Sequence, residues 1–200
     1  MDIYLEVGQK RVFACAVDWP GWCRSGRDEQ QAIDALVAYA PRYAPVAEKA
    51  HLTLPRDLDI QIVERLTGNA TTDFGAPGIV PQVDRQKMTA AEARRTVALL
   101  EAAWATLDEV VASAPASLRK GPRGGGRDRD KVVEHVLSAE EGYARAVGVK
   151  ATIEDRRQLL VETIRQGEPG ERRWTPRYAA RRTAWHALDH AWEIEDRSET

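Results

Sequence analysis

The chain has 200 residues, 43% of them hydrophobic, with 29 Lys and Arg against 31 Asp and Glu. That composition excludes a wholly disordered chain and leaves room for one compact domain or two small ones. A formal net charge of -2 gives no global attraction to nucleic acid or anionic membrane.

The opening MDIYLEVGQK carries an acid at position 2 and no apolar core of signal-peptide length. No later run approaches the roughly eighteen apolar residues of a membrane-spanning helix. Two cysteines, Cys15 and Cys23, are too few for a disulfide framework. The expectation is a soluble, cytoplasmic protein with reduced thiols and no membrane partner.

In chain order, IYLEV places Ile3, Leu5 and Val7 on one face, and VFACAV follows the turn residues Gly8-Gln9, which predicts a β-hairpin. DWPGWCRSG is a Pro/Gly loop that runs into a short third strand. Asp28 with Gln31 three residues on forms a capping-box pattern, and Ile33, Leu36, Val37 and Ala40 make an apolar stripe at helical spacing. Pro41 stops or kinks that helix. LDIQIVERL alternates again, with Leu58, Ile60 and Ile62 on one side. The order over residues 1–66 is β-β-β-α-β. From 67 to 85 the text becomes TGNATTDFGAPGIVPQVDR, rich in Gly, Pro, Thr and Asn, which predicts a linker and the domain boundary.

Residues 86–200 predict four helices. Thr89 caps the first, Glu92 completes the box, and Pro115 ends it. RDKVVEHVLSAEEGYARAVG is the second and closes on Gly148. The third runs from Thr152 to Gly167, and Thr175-Pro176 opens the last, which continues through Asp196. The fold class expected is α+β: a small N-terminal unit followed by an antiparallel four-helix bundle.

The last helix, RRTAWHALDHAWEIEDR, holds His186 and His190 one turn apart. Such a pair lets two imidazoles reach one ion. The same stripe carries Arg182, Glu193 and Arg197, flanked by Asp189, which is also what a solvated face looks like. Two histidines are too few for a catalytic zinc-type site, which usually takes three protein ligands. His135, in the second helix, lies above the small residues Ser138, Ala139, Gly142 and Ala146 and has room in front of it. Its alternative is a core histidine hydrogen-bonded across the bundle. His51 lies outside the pattern and is expected to be exposed.

One mid-helix histidine in the second helix, plus H-x3-H in the fourth, resembles the DinB-like (YfiT-type) four-helix-bundle superfamily over about residues 86–198. The resemblance implies that His135, His186 and His190 hold a divalent metal, commonly zinc or nickel. It also implies chemistry of the kind found there: thiol-dependent S-transfer or isomerisation with a low-molecular-weight thiol, or amide hydrolysis. Glu193 and Asp189 are the candidate catalytic acids, as proton acceptor or as partner to an imidazole N–H; each has an ion pair with Arg182 or Arg197 as its alternative. The segment LRKGPRGGGRDRDK leads into the His135 helix and is either a cationic lid for an anionic small-molecule substrate or a solvated connection. It lacks the G-K-[ST] ending of a phosphate-binding loop. Arg123, Arg127 and Arg182 are the candidate substrate-binding residues.

The N-terminal stretch DWPGWCRSGRDEQQAIDAL, with Pro20, Gly21, Gly26 and Ala32 at its spacing, resembles the HicB-like fold over about residues 1–66. That family consists of antitoxins that shield a small ribonuclease, usually with an appended DNA-binding module, and no such module follows here. The unit is expected to pack on the bundle, supply a lid or mediate a homodimer, with Trp19 and Trp22 either an exposed patch or buried. Cys15 is expected in the core, and Cys23 is assigned no catalysis. The functional expectation is a metal-dependent hydrolase or transferase acting on small molecules. The alternative is a non-enzymatic interaction protein that binds a protein or RNA partner through the HicB-like unit. Nucleic-acid binding through the Arg/Gly segment is disfavoured, because the patch is short and has no interleaved aromatics.

Overall fold

The structure is a computed structural model that describes residues 1–55, 57–121, 125–170 and 172–198. The candidate Arg123 lies outside the described residues. Strands β1 (Asp2–Val7), β2 (Val12–Ala16) and β3 (Cys23–Gly26) are followed by α1 (Glu29–Ala38), α2 (Ala40–Lys49) and β4 (Gln61–Thr67). A short helix α3 (Ala70–Phe74) and a 3-10 turn at Gln82–Arg85 lead to α4 (Ala90–Ser113), α5 (Arg129–Ala146), α6 (Ile153–Arg165) and α7 (Pro176–Ser198). The protein is α+β, with a small strand unit ahead of a helical region.

The sheet order is β3-β2-β1-β4, antiparallel except for β4, which runs parallel to β1. A parallel partner needs a crossover longer than a hairpin turn, and α1 with α2 supplies it. The sequence predicted one helix here. Asp28 caps α1 by accepting from the Gln31 amide at 2.8 Å. The chain then re-enters a helix at Ala40, with Pro41 in the first turn of α2, where a missing N–H costs nothing.

Alternation explains why β1 and β2 are buried on both sides. Ile3, Leu5, Val12, Ala14 and Ala16 face the main core with Ala32 and Leu36 of α1. The intervening Tyr4, Phe13, Cys15 and Cys23 cluster with Trp185 of α7, and Phe13 meets the Trp185 ring edge-on at 6.1 Å. Trp19 and Trp22 are buried. Trp22 stacks on Tyr43 at 5.1 Å and donates its indole N–H to the Leu36 carbonyl at 2.8 Å. Between them Gly21 adopts φ +92°, and a Cβ there would lie 2.8 Å from Leu188 Cδ1 of α7. Only glycine gives that turn and that close approach.

Cys15 and Cys23 correct the expectation of separate reduced thiols. They are register partners on β2 and β3, with Cα atoms 4.1 Å apart, and are joined as a disulfide. The Pro/Gly loop between them is what turns the chain back and sets them face to face.

The Gly/Pro-rich segment 67–85 is pinned on two sides. Buried Glu6 accepts from Thr72 Oγ1 at 2.5 Å, Gly78 N at 2.8 Å and Ile79 N at 3.0 Å. Asp84, wholly buried, binds Arg181 of α7 through both oxygens at 2.8 Å. Arg181 also donates to the carbonyls of Ala16 and Val17 at the end of β2, so one guanidinium ties sheet, connecting segment and α7 together.

Helix α7 packs against α4, α5 and α6, and α6 also against α4 and α5. With the sheet on its remaining side, α7 is buried nearly all round, as expected of a central helix rather than a surface one. Among the described residues no helix is long and apolar enough to cross a membrane.

Candidate metal centre

His135 stands in the second turn of α5, and His186 and His190 stand one turn apart on α7. Because α5 packs on α7, the three imidazoles converge. Their ring centroids are 5.0 Å (His135–His186), 5.0 Å (His135–His190) and 4.6 Å (His186–His190) apart. One ring nitrogen from each lies within 4.8 Å of the other two, an arrangement that could hold a metal ion. His186 is 6% and His190 9% exposed. The choice between a solvated stripe and an inward one is thereby decided: the α7 histidines face inward. His51 is exposed, at the end of α2.

Which nitrogens are available follows from hydrogen bonding. His190 Nδ1 lies 2.7 Å from Glu193 Oε2. A carboxylate only accepts, so Nδ1 carries a proton, and in the neutral ring Nε2 is the nitrogen left for a ligand. His186 Nε2 and His135 Nε2 approach to 3.3 Å. Two nitrogens bound to one zinc ion at ~2.0–2.1 Å in a tetrahedral site are about 3.3–3.4 Å apart, so the spacing suits a shared ion. His186 Nδ1 is buried and has no hydrogen-bond partner.

Burial and neighbouring charge favour the neutral forms of His186 and His135. Burial, then the nearby His190 and the Arg182 charge, depress the His186 pKa to about 2. Burial, followed by His190 and Arg127, lowers that of His135. Glu193 is held below the ordinary carboxylate range, chiefly by its hydrogen bond with His190 and despite partial burial. Neutral His135 and His186 beside an ionised Glu193 are protonation states that suit a ligand set.

Glu193 has no oxygen to spare. Oε2 takes His190, and Oε1 takes Arg197 Nη1 at 2.6 Å. Arg197 then donates Nε to the Arg119 carbonyl at 2.9 Å and Nη2 to the Arg127 carbonyl at 2.6 Å. The Arg/Gly segment is therefore moored at both stems to the same helix end as His190. A groove of about 500 Å³ lies there, lined by Arg119, Lys120, Gly121, Gly125, Gly126, Glu193 and Arg197. Arg127 reaches this region, and its charge acts on His135 and His186.

Asp189 is elsewhere. It pairs with Arg24 of β3 at 2.9 Å, and Arg24 also lies over the Tyr39 ring at 3.9 Å. Its position on α7 turns it to the sheet, away from the histidines. Arg182 is 7% exposed, its guanidinium 4.4 Å from the Trp185 ring and 5.1 Å from that of Tyr143. Tyr143 in turn meets His186 edge-on at 5.6 Å. Sequence reasoning left Arg197 as a possible ion pair and did not single out Tyr143; only the packing of α5 on α7 gives them their positions. The small residues beyond His135 behave as expected: Ser138 and Gly142 are exposed and Ala139 half-buried, so α5 leaves an open flank beside the rings.

Comparisons with protein-family models, with curated proteins and with solved structures found no match.

Proposed function

We propose that this protein is a metal-dependent enzyme acting on small molecules. In this reading α4–α7 form an antiparallel four-helix bundle of the DinB-like type, and His135, His186 and His190 hold a divalent ion, zinc or nickel. The observation that carries the reading is the convergence of three imidazoles from two helices, one of them oriented by a carboxylate. An ion held by three neutral ligands keeps its full charge and an open position, where it lowers the pKa of a water or a thiol. The reaction class is accordingly hydrolysis or thiol-dependent transfer.

The chain's own residues have separable parts in this. Glu193 fixes the tautomer and orientation of His190, and Arg197 holds Glu193 in place. With both carboxylate oxygens engaged, Glu193 suits positioning better than proton abstraction. Asp189, committed to Arg24, is left out of the chemistry. Ser138, Ala139 and Gly142 keep the approach to His135 clear.

Elemental analysis of protein purified without a histidine tag tests the reading. About one equivalent of zinc or nickel per chain is expected. His186→Ala should lose the metal while the helical circular-dichroism signal stays. Metal-free wild type that also fails to take up zinc or nickel on titration would sink the proposal.

A further inference from the structure

Helix α7 carries four arginines, and three have carboxylate partners: Arg177 with Glu92 at 3.0 Å, Arg181 with Asp84 at 2.8 Å and Arg197 with Glu193 at 2.6 Å. Arg182 differs. Among the described residues no carboxylate lies within ion-pair distance of it, and its Nη1 is buried without a hydrogen-bond partner. Its neighbours are aromatic faces, Trp185 and Tyr143. Glu6, whose carboxyl feels the Arg182 charge, is already saturated by Thr72, Gly78 and Ile79.

A buried guanidinium without a counter-charge is costly, and structures that lack a partner for one tend to relieve the cost by exposing it. Here it is retained one turn before His186 on the same stripe, about 6 Å along the helix axis. Tyr143 neighbours both, its ring 5.1 Å from the Arg182 guanidinium and 5.6 Å from the His186 ring. The planar fork of arginine matches a carboxylate in a way a point charge does not.

We infer that Arg182 is a specificity-determining residue that binds the carboxylate of a small-molecule ligand whose other end reaches the three-histidine cluster. This rests on the proposed metal centre for its second half only: the carboxylate subsite is a property of Arg182 and its aromatic walls. It assigns a substrate class, small organic acids, that the histidines alone do not define. It also balances charge, since Glu193 is already neutralised by Arg197 and no carboxylate among the described residues pairs with Arg182.

The test uses malonate as probe, on the full chain, with and without zinc. Isothermal titration calorimetry of wild type should show one malonate per chain, and Arg182→Met should weaken it by roughly tenfold or more. Arg182→Lys, which keeps the charge without the fork, should recover only part of that loss. In the absence of malonate Arg182→Met should melt at or above wild type, because an uncompensated buried charge has been removed. A purely structural cation–π role would make the same variant melt lower. The inference is overturned by unchanged malonate affinity in Arg182→Met, by no malonate binding in wild type, or by failure of both variants to fold. Zinc titration of the same samples keeps the two readings apart: malonate binding without zinc binding removes the metal centre and leaves the subsite, and the reverse removes the subsite alone.

Discussion

Glu193 shows how one side chain serves two neighbours, orienting His190 with one oxygen and meeting Arg197 with the other. Glu193→Gln keeps the shape but loses the carboxylate's acceptor pair and its charge. It should lower metal affinity by about 10–100-fold and, because folding favours the ionised Glu193, modestly lower the melting temperature of the metal-free protein; competition with a chromophoric chelator and thermal melts measure the two effects. A second buried acid, Glu140, accepts the Trp104 indole N–H at 2.7 Å and pairs with Arg157 at 3.4 Å. Burial outweighs these partners and raises its pKa. The folded state therefore holds this proton more tightly than the unfolded chain. The stability that Glu140 contributes is fully present below the ordinary carboxylate pKa and declines as pH rises through the raised value. Glu140→Gln stays neutral throughout. Urea melts between about pH 4 and pH 7 should show the balance moving toward the variant as pH rises; a pH-independent difference would contradict the assignment.

At the scale of elements, local signals were legible where the stabilising contact is itself local. Thr89 accepts from the Glu92 amide and Glu92 from the Thr89 amide, and α4 starts where that box places it. Asp28 with Gln31 does the same for α1. Thr175 and Pro176 set the start of α7, the Thr175 hydroxyl accepting from Tyr178 N at 3.2 Å. The break at Pro41 was legible as an interruption, but not as a second helix, because α2 depends on Tyr43 and Val46 finding a core to enter. Gly21 is the junction where sheet unit and α7 come closest. Gly21→Ala combines a left-handed backbone with a 2.8 Å approach to Leu188, and should destabilise by about 1–3 kcal/mol. Chemical denaturation would show it; a neutral result would mean that the loop moves freely off α7.

For the whole molecule, α7 is the shared core of both halves. Trp185 packs with the sheet, Arg181 reaches β2, and Arg42 of α2 bonds Glu195 and Asp196 near its end. A fragment of residues 86–200 would leave Trp185, Leu188 and the Arg181 charge without their partners. It should melt without cooperativity and bind zinc more weakly than the full chain, as circular dichroism and metal titration would report. A cooperative, tightly zinc-binding fragment would show instead that the helical region is self-sufficient.

Taken by itself the sequence determined what depends on neighbours along the chain: the hairpin's alternation, the caps of α1, α4 and α7, and the presence of one histidine on one helix and two on another. The tertiary structure decided what those residues face. Arg182, His186 and His190 share a stripe with Glu193 and Arg197, flanked by Asp189, so they look in sequence like a wet stripe. Arg181 is buried because its partners sit far away, 97 residues back at Asp84 and 165 back at Ala16. Cys15 and Cys23 became a pair for the same reason, once β2 and β3 were set in register. Helical periodicity records local polarity, whereas burial of a charge depends on a counter-charge that only the folded chain can deliver.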